Sequence, residues 1–288
     1  MAKSLSIILP AKNEARALER LLPELRSFYA NAEIIVVNDG STDDTVAVCK
    51  ENSVKCVTHA YGLGNGAAIK HGARFAQGEI LVFMDADGQH NPADIGRLLS
   101  QLDTGFDMVV GARDSNSQAS TGRSLANRLY NWLASYMTGH KIKDLTSGFR
   151  AARAVRFREF LYLLPNGFSY PTTSTMAFFR AGYLVGYIPI TVEKRVGKSH
   201  IYIFKDGVRF LLIIFKIGTL YSPLKLFFPV ALLHALIGIG YYGYTYATQS
   251  RLSLATVFLL TASVTIFLIG LVSEQITQLM YKDSAQDK

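Results

Sequence analysis

The sequence predicts an α/β domain with a mostly parallel sheet, followed by two helices long enough to cross a membrane. In the N-terminal part of the 288 residues, short apolar runs alternate with helix-like stretches, which is the pattern of a parallel sheet covered by helices. Acid-bearing loops follow three of those runs. Near the C-terminus, the 25 residues between Lys225 and Arg251 and the 22 between Arg251 and Glu274 include no Asp, Glu, Lys or Arg.

Composition limits the function classes. With 49% hydrophobic and 18% charged residues, the chain differs from disordered or nucleic-acid-coating proteins, and we expect no nucleic acid partner. The formal net charge of +8 favours phosphorylated metabolites or an anionic membrane surface as partners. The two cysteines, Cys49 and Cys56, are too few for a disulfide framework and indicate a reducing compartment. We expect no signal peptide.

Five strands are predicted from the apolar runs, with helices between the first four. The strands are Leu5–Leu9, Glu33–Val37, Val54–Thr58, Ile80–Met84 and Met108–Val110. The helices are Glu14–Tyr29, Asp43–Glu51 and Gly66–Ala76. Ligands of such sheets bind at the carboxyl ends of the strands, so the residues that follow each strand are expected to carry the chemistry.

The loop after the fourth strand predicts a metal site. Asp85 and Asp87 are two residues apart, so both carboxylates can face one hard cation that also takes phosphate oxygens, and Gln89 can add an amide oxygen. An EF-hand is excluded, because the twelfth position of such a loop would be Gly96 instead of glutamate. Asp39 lies in the loop after the second strand, where helix capping by Ser41 and Thr42 would not require it.

The glycine-rich segment from Gly62 to Gly66 follows the third strand. Its spacing fits neither the dinucleotide-binding pattern nor a P-loop, so it predicts a tight turn close to a ligand.

The C-terminal part predicts membrane attachment. Residues 194–225 carry seven Lys or Arg and one acid, Asp206, which by the positive-inside rule places this flank in the cytoplasm. Lys205, Arg209 and Lys216 alternate with apolar residues, as in a helix lying in the membrane interface. The expected organisation is a catalytic domain over 1–193, a basic interfacial segment over 194–225, two transmembrane helices over 226–273 and a cytoplasmic tail over 274–288. A pair of buried core helices is the alternative to the hairpin.

Several motifs together resemble glycosyltransferase family 2, with its GT-A fold, and within it the dolichol- and undecaprenyl-phosphate sugar synthases. The resemblance covers about residues 5 to 200. Its motifs are Pro10-Ala-Lys-Asn-Glu14, Asn38-Asp-Gly-Ser-Thr-Asp43, Gly62-x-Gly-x-Gly66, Asp85-Ala-Asp-Gly-Gln89 and Asp144-Leu-Thr-Ser-Gly-Phe-Arg150.

The resemblance implies roles for individual residues. The nucleotide-sugar would be bound by Pro10, Asn13, Glu14, Asp39, Asp85, Ala86, Asp87, Arg113, Arg195 and Lys198. Mg²⁺ or Mn²⁺ would be bound by Asp85, Asp87 and Gln89, and the acceptor phosphate by Arg123, Ser147 and Arg150. The residues expected to be catalytic are Asp87, Arg113, Arg123, Asp144 and Arg150.

One motif departs from the family pattern. The family often has Gly-x-Ser-Lys at the end of this domain, whereas this chain has Gly197-Lys-Ser-His200. Either Lys198 or His200 would then contact the diphosphate, and Lys194 or Arg195 would fill a nearby arginine role.

The expected function is inverting, metal-dependent transfer of a sugar from a UDP- or GDP-linked donor to polyprenyl phosphate at the cytoplasmic face of the lipid bilayer. Alternatives are a transferase with a non-phosphate acceptor, a non-catalytic membrane scaffold subunit, and a dehydrogenase that rests on the glycine segment alone. A processive polysaccharide synthase would carry Gln-x-x-Arg-Trp, which is absent around the single tryptophan, Trp132. Tyrosines and glycines over 238–246 suit either a homo-oligomer contact or interfacial anchoring.

Overall fold

The computed structural model describes residues 3–113, 121–167, 169–192 and 218–282. The chain divides into two compact units. The first comprises Met1–Tyr136 with His140–Ile201, and the second comprises Met137–Gly139 with Tyr202–Lys288.

The first unit is built on a sheet that has seven strands within the described residues. They are β1 (Leu5–Ala11), β2 (Glu33–Asn38), β3 (Lys55–Thr58), β4 (Ile80–Phe83), β5 (Met108–Arg113), β6 (Arg150–Arg153) and β7 (Val185–Ile190). Their order is β3-β2-β1-β4-β6-β5-β7. Only β6 runs antiparallel, against both β4 and β5, so the predicted mostly parallel sheet is confirmed.

Helices cover the sheet, and the described residues of the second unit are mostly helical. In chain order they are α1 (Ala15–Phe28), α2 (Thr45–Glu51), α3 (Asn65–Phe75), α4 (Asp94–Asp103), α5 (Thr121–Thr138), α6 (Ala154–Arg158), α7 (Tyr170–Arg180), α8 (Pro223–Gln249) and α9 (Leu254–Lys282). The three predicted helices match α1, α2 and α3 to within two residues at each end.

Alternation along the strands divides the core between two faces. Ile7 and Leu9 of β1 belong to the same buried cluster as Leu18 and Leu22 of α1, because side chains two apart on a strand share a face. On the opposite face α3 packs closely. A Cβ on Gly72 of α3 would collide with the Ile8 side chain, so glycine permits this close approach.

Strand β5 extends beyond its predicted end at Val110. The sequence interrupts the apolar run with Gly111, but β7 pairs with β5 as far as Arg113. The partner strand therefore supplies the hydrogen bonds that continue β5, and this places Arg113 at a carboxyl end. Strands β6 and β7 were not predicted, since β6 begins and ends with arginine and β7 contains Gly186 and Pro189.

The second unit contains an antiparallel pair of apolar helices, α8 and α9. Ser263 of α9 donates a hydrogen bond to the Ala231 carbonyl of α8 at 2.8 Å, and Gly238 lies against Leu260. Both helices are long and apolar enough to cross a membrane, and only 11% and 17% of their most apolar windows are buried. A pair of core helices, the alternative to the hairpin, would instead be mostly buried. The interfacial segment expected before Gly218 lies outside the described residues.

Candidate active site at the carboxyl ends of the strands

A cavity of about 620 Å³ opens at the carboxyl ends of β1, β2 and β4. It is lined by Pro10, Ala11, Lys12, Glu14, Asp39, Gly62, Leu63, Gly64, Asn65, Ala68, Asp85, Ala86 and Asp87. The lining combines the three acidic loops with the glycine-rich segment. Among these lining residues, Lys12 is the one cation against four carboxylates.

Asp39 forms the buried wall of the cavity. Its Oδ1 accepts hydrogen bonds from the Leu63 amide at 2.7 Å and from His59 Nδ1 at 2.8 Å, and its Oδ2 accepts from the Gly64 amide at 2.8 Å. Burial alone would raise the pKa of Asp39, but these donors outweigh it and lower the pKa. Asp39 is therefore ionised near neutral pH.

The glycine-rich segment is a tight turn held by Asp39. Gly64 has φ +103°, and a Cβ there would collide with the Asn166 carbonyl. Two amides in the first turn of α3 are also occupied, because Gly66 donates to Gly167 O and Ala67 donates to Asn166 O. These amides are thus already used within the protein, in contrast to the free amides of a P-loop.

Asn13 connects the first two loops and does not line the cavity. Its backbone amide donates to Ser41 Oγ at 2.9 Å, and its side-chain oxygen accepts from the Thr42 amide at 2.8 Å. Asp43 accepts from the Ala15 amide at the start of α1. Asn13 therefore shapes the site, and its predicted contact with the nucleotide stays a prediction.

Asp85 and Asp87 both line the cavity. Asp87 Oδ1 accepts a hydrogen bond from the Gln89 amide at 3.2 Å, which turns the loop back on itself. Gln89 itself is not among the lining residues. Asp85 Oδ2 lies 3.7 Å from Nε2 of the buried His90, whose ring stacks on Phe149.

This donor set fits a hard divalent cation. Mg²⁺ is usually bound by one or two carboxylates together with substrate phosphates, and not by a complete protein cage. The part of the chain that the structure describes contains no group of three or more acid, histidine or cysteine side chains arranged around one metal position. Two carboxylates that face an open cavity match the open type of site.

Arg113 and Asp144 form an ion pair next to the cavity loops, although neither lines the cavity. Arg113 donates from Nε to Oδ2 at 2.8 Å and from Nη2 to Oδ1 at 3.0 Å. The Thr146 and Ser147 amides also donate to Asp144. Burial opposes both charges, but the pairing outweighs it, lowering the pKa of Asp144 and raising that of Arg113.

Arg150 is completely buried between β6 and α7. Its guanidinium donates to Pro171 O at 2.9 Å, to Ser174 Oγ at 2.8 Å and to Thr175 Oγ1 at 3.1 Å, and also to Ser147 O. Arg150 Nε and Ser147 Oγ have no hydrogen-bond partner among the described residues. In this structure Arg150 ties the sheet to α7, and its contact with the acceptor phosphate stays a prediction.

The remaining predicted site residues lie outside what the structure describes. Arg123 belongs to α5, but its side chain is not described. Lys194, Arg195, Lys198 and His200 all fall in 193–217, outside the described residues.

Two histidines that were not singled out in the sequence complete the site. His59 Nε2 lies 2.6 Å from Nδ1 of His71, so a chain of hydrogen bonds runs from Asp39 through His59 to His71. His59 follows β3 and His71 lies within α3. No spacing rule relates them, and only the packing of α3 on the sheet brings them together.

Comparison with protein families identifies the chain. Residues 6–162 match the model of glycosyl transferase family 2, and residues 222–279 match the GtrB C-terminal hairpin. The chain belongs to glycosyl transferase family 2. It is a glycosyltransferase with a GT-A-like domain, as the motifs predicted, and the dehydrogenase interpretation of the glycine segment is wrong.

Two curated relatives are similar over different lengths. An undecaprenyl-phosphate mannosyltransferase of Micrococcus luteus is 30% identical over 207 residues, which are 67% of this chain and 85% of the relative. An undecaprenyl-phosphate 4-deoxy-4-formamido-L-arabinose transferase of Photorhabdus laumondii is 30% identical over 161 residues. That match covers 52% of this chain and about half of the relative, 49%.

A solved structure shows the same fold. Glucosyl-3-phosphoglycerate synthase of Mycobacterium tuberculosis, in complex with Mn²⁺, UDP and glucosyl-3-phosphoglycerate, has a TM-score of 0.60 at 21% identity. The similarity covers 75% of this chain and 79% of that one.

Proposed function

We propose that this glycosyltransferase transfers a sugar from a nucleotide-sugar to a polyprenyl phosphate held in the bilayer. The observation that carries the proposal is the presence, in one chain, of an acid-lined cavity at the strand ends and an exposed apolar hairpin. A soluble acceptor would not require the hairpin. The two relatives named for undecaprenyl phosphate support the same acceptor class.

Asp39 is proposed to bind the nucleobase. A carboxylate offers about four acceptor positions, and three are used by His59, Leu63 and Gly64. Oδ2, which accepts one of these bonds, keeps a position for an N–H donor. Uracil and guanine both present such a ring N–H, so UDP- and GDP-linked donors fit, while cytosine has only an acceptor there.

A divalent cation is proposed at Asp85 and Asp87, with Gln89 beside them. The lining carries four carboxylates and one lysine, so a diphosphate would be repelled unless a cation came with it. Mg²⁺ or Mn²⁺ supplies positive charge that stabilises the departing diphosphate. Asp87 and Asp85 would hold that ion, and the backbone turn from Asp87 to Gln89 fixes the direction of the Asp87 carboxylate.

The chemistry proposed is a single displacement with inversion. A lipid phosphate is largely ionised near neutral pH, since its second pKa is about 6, and needs no strong base. Its oxygen forms a bond to the anomeric carbon while the bond from that carbon to the diphosphate breaks, and the nucleoside diphosphate leaves. Catalysis then depends on positioning and positive charge. Arg113, which ends β5 and is held by Asp144, is a proposed cation at this edge, and Arg123, Arg150, Arg195 and Lys198 are further candidates.

Membrane attachment is proposed through α8 and α9, with the catalytic unit and both termini in the cytoplasm. The cations over 194–225 precede the hairpin and favour the anionic cytoplasmic leaflet. In this arrangement the acceptor phosphate stays at the membrane surface.

The test is transfer of label from a panel of radiolabelled UDP- and GDP-sugars into an organic-extractable product. Full-length protein in detergent is given undecaprenyl phosphate and Mg²⁺ or Mn²⁺, with a chelator arm. We expect chelator-sensitive lipid label that falls at least about 100-fold in Asp87→Asn, because charge stabilisation of the leaving group is lost. Asp103 pairs with Lys3 on the surface, so Asp103→Asn is the matched control. Label in soluble oligosaccharide acceptors, and none in lipid, would overturn the acceptor assignment.

A further inference from the structure

A hydrogen-bonded chain of side chains extends from the cavity wall into the protein. Asp39 Oδ1 lies 2.8 Å from His59 Nδ1, and His59 Nε2 lies 2.6 Å from His71 Nδ1. The two imidazole rings meet edge to face, with centroids 4.6 Å apart. His59 is buried and His71 is half-buried. The chain therefore connects the carboxylate that lines the cavity to a residue of α3 that does not line it.

The charge on Asp39 fixes the proton positions along this chain. An ionised carboxylate only accepts hydrogen bonds, so His59 must carry its proton on Nδ1. In the neutral ring Nε2 is then an acceptor, and His71 must donate to it from Nδ1. The tautomer of His59 is thus determined by donors and acceptors at both ends of its ring.

His71 is held in the neutral form by its surroundings. Burial lowers the pKa of His71, and the neighbouring cations Arg74 and Lys70 lower it further. Arg158 of α6 donates to Ala73 O and Ala76 O, and Ile8 and Val37 are the sheet side chains beside Gly72.

We propose that His71 and His59 are positioning residues that fix the orientation of the Asp39 carboxylate for the nucleotide-sugar. This inference rests on the proposed donor site at Asp39. Without the hydrogen bond from His71, His59 Nε2 has no donor, the tautomer and direction of the His59 ring are no longer fixed, and the ring can turn its Nδ1–H away from the carboxylate. Asp39 then keeps only the Leu63 and Gly64 amides, and the remaining acceptor position on Oδ2 is no longer held towards the base.

The hydrogen-bonded chain of Asp39, His59 and His71, called the relay below, makes a prediction that distinguishes a positioning role from a role in folding. His71→Leu removes the donor, and we expect the KM for the donor to rise roughly tenfold with kcat little changed, since one charge-assisted hydrogen bond is worth about that factor. His71→Asn carries an amide N–H and should restore the KM to within about twofold of the original. His140→Leu, which removes a ring stacked on Phe179 away from the cavity lining, is the matched control.

The experiment measures Kd for UDP and GDP by calorimetry, and KM and kcat for the nucleotide-sugar that transfers label, on full-length protein. Binding of neither nucleotide by the wild-type chain would defeat the proposed function itself. If the wild-type binds one of them, an unchanged Kd and KM in His71→Leu would overturn the relay, as would a fall in kcat alone. A failure of His71→Asn to restore the KM would overturn it equally. If His71→Leu does not fold, His71→Phe, which keeps an aromatic ring but has no donor, takes its place with the same expected result.

Discussion

Arg150→Met replaces a buried cation with an apolar side chain of similar length, and it distinguishes two roles for this residue. In the structure Arg150 is completely buried, and its oxygen acceptors are Pro171 O, Ser174 Oγ and Thr175 Oγ1 of α7, and Ser147 O. These contacts join β6 to α7. The family motif, by contrast, assigns Arg150 to the acceptor phosphate. Removal of the guanidinium should therefore destabilise the first unit if the structural contacts dominate.

The size of the effect follows from the contacts. Nη1 directs its two hydrogens at the three acceptors on α7 and Nη2 directs one at Ser147 O, so three hydrogen bonds from a charged donor, at about 1.5 kcal/mol net each, are worth about 4.5 kcal/mol. An apolar replacement recovers part of the cost of burying the cation, so the net loss of stability should be about 3 kcal/mol. For a unit of this size, the Tm then falls by roughly 6–12 °C. Arg150→Lys keeps the charge but cannot reach all of these acceptors, so its loss of stability should be about half that of Arg150→Met.

The two cysteines provide an assay specific to the first unit. Cys49 is fully buried, and both Cys49 and Cys56 lie in that unit. A thiol-reactive probe added to the full chain in detergent, over a temperature series, reports when Cys49 becomes accessible. The reasoning is refuted if Arg150→Met keeps the wild-type transition while the KM for lipid phosphate rises. That result would mean that the guanidinium binds the acceptor and contributes little to the packing of α7.

Three further predictions concern a turn, an ion pair and the hairpin. Gly64→Ala should lower the free energy of unfolding by about 1–3 kcal/mol and raise the KM for the donor, because residue 64 adopts φ +103° and a Cβ there would collide with the Asn166 carbonyl. Gly105→Ala is the control, since Gly105 adopts φ +110° with open space around it. Equal losses of stability in the two variants would refute the collision. The pKa of Asp144 is lowered in the folded state, so its stabilisation is present above the ordinary Asp value of about 4 and is lost as pH falls through the folded pKa. Unfolding midpoints measured at a series of acidic pH values should show that loss, and Asp144→Asn should remove this pH dependence. The same pH dependence in Asp144→Asn would contradict the pairing with Arg113. Leu236→Arg places a charge on the exposed apolar face of α8 and makes membrane insertion of this helix less favourable by about 3 kcal/mol. Alkaline carbonate should then extract more of the chain from membranes. Unchanged retention in the membrane would argue against a spanning helix.

The sheet was predictable where the apolar runs are continuous. Strands β1 to β5 were expected because each contains an apolar run. In β1, β2, β4 and β5 this run is buried, as from Ile7 to Leu9, whereas β3 lies at the sheet edge and is only partly buried. Strand β6 reads Arg-Ala-Ala-Arg and has no such run. It exists because β4 and β5 lie on either side of it and satisfy its backbone hydrogen bonds.

The cavity acids were predictable for a topological reason. Glu14, Asp39, Asp85 and Asp87 each follow a strand, and parallel strands end at one edge of a sheet, so their loops meet without detailed knowledge of packing. The partners of these acids could not be predicted in this way. His59 and His71 reach Asp39 only because α3 packs closely on β1 and β2, where Gly72 leaves room.

The sequence by itself determined the family, the parallel sheet, the acidic edge and the apolar hairpin, because each depends on local pattern and on chain order. The tertiary structure alone decided which donors meet which acceptors. Arg113 pairs with Asp144 across 31 positions, and Arg150 turns to the carbonyl and hydroxyl groups of α7. Such contacts depend on side-chain directions set by the packing of distant elements, and a hydrogen bond requires its two atoms to come within about 3 Å, a precision that residue spacing does not encode.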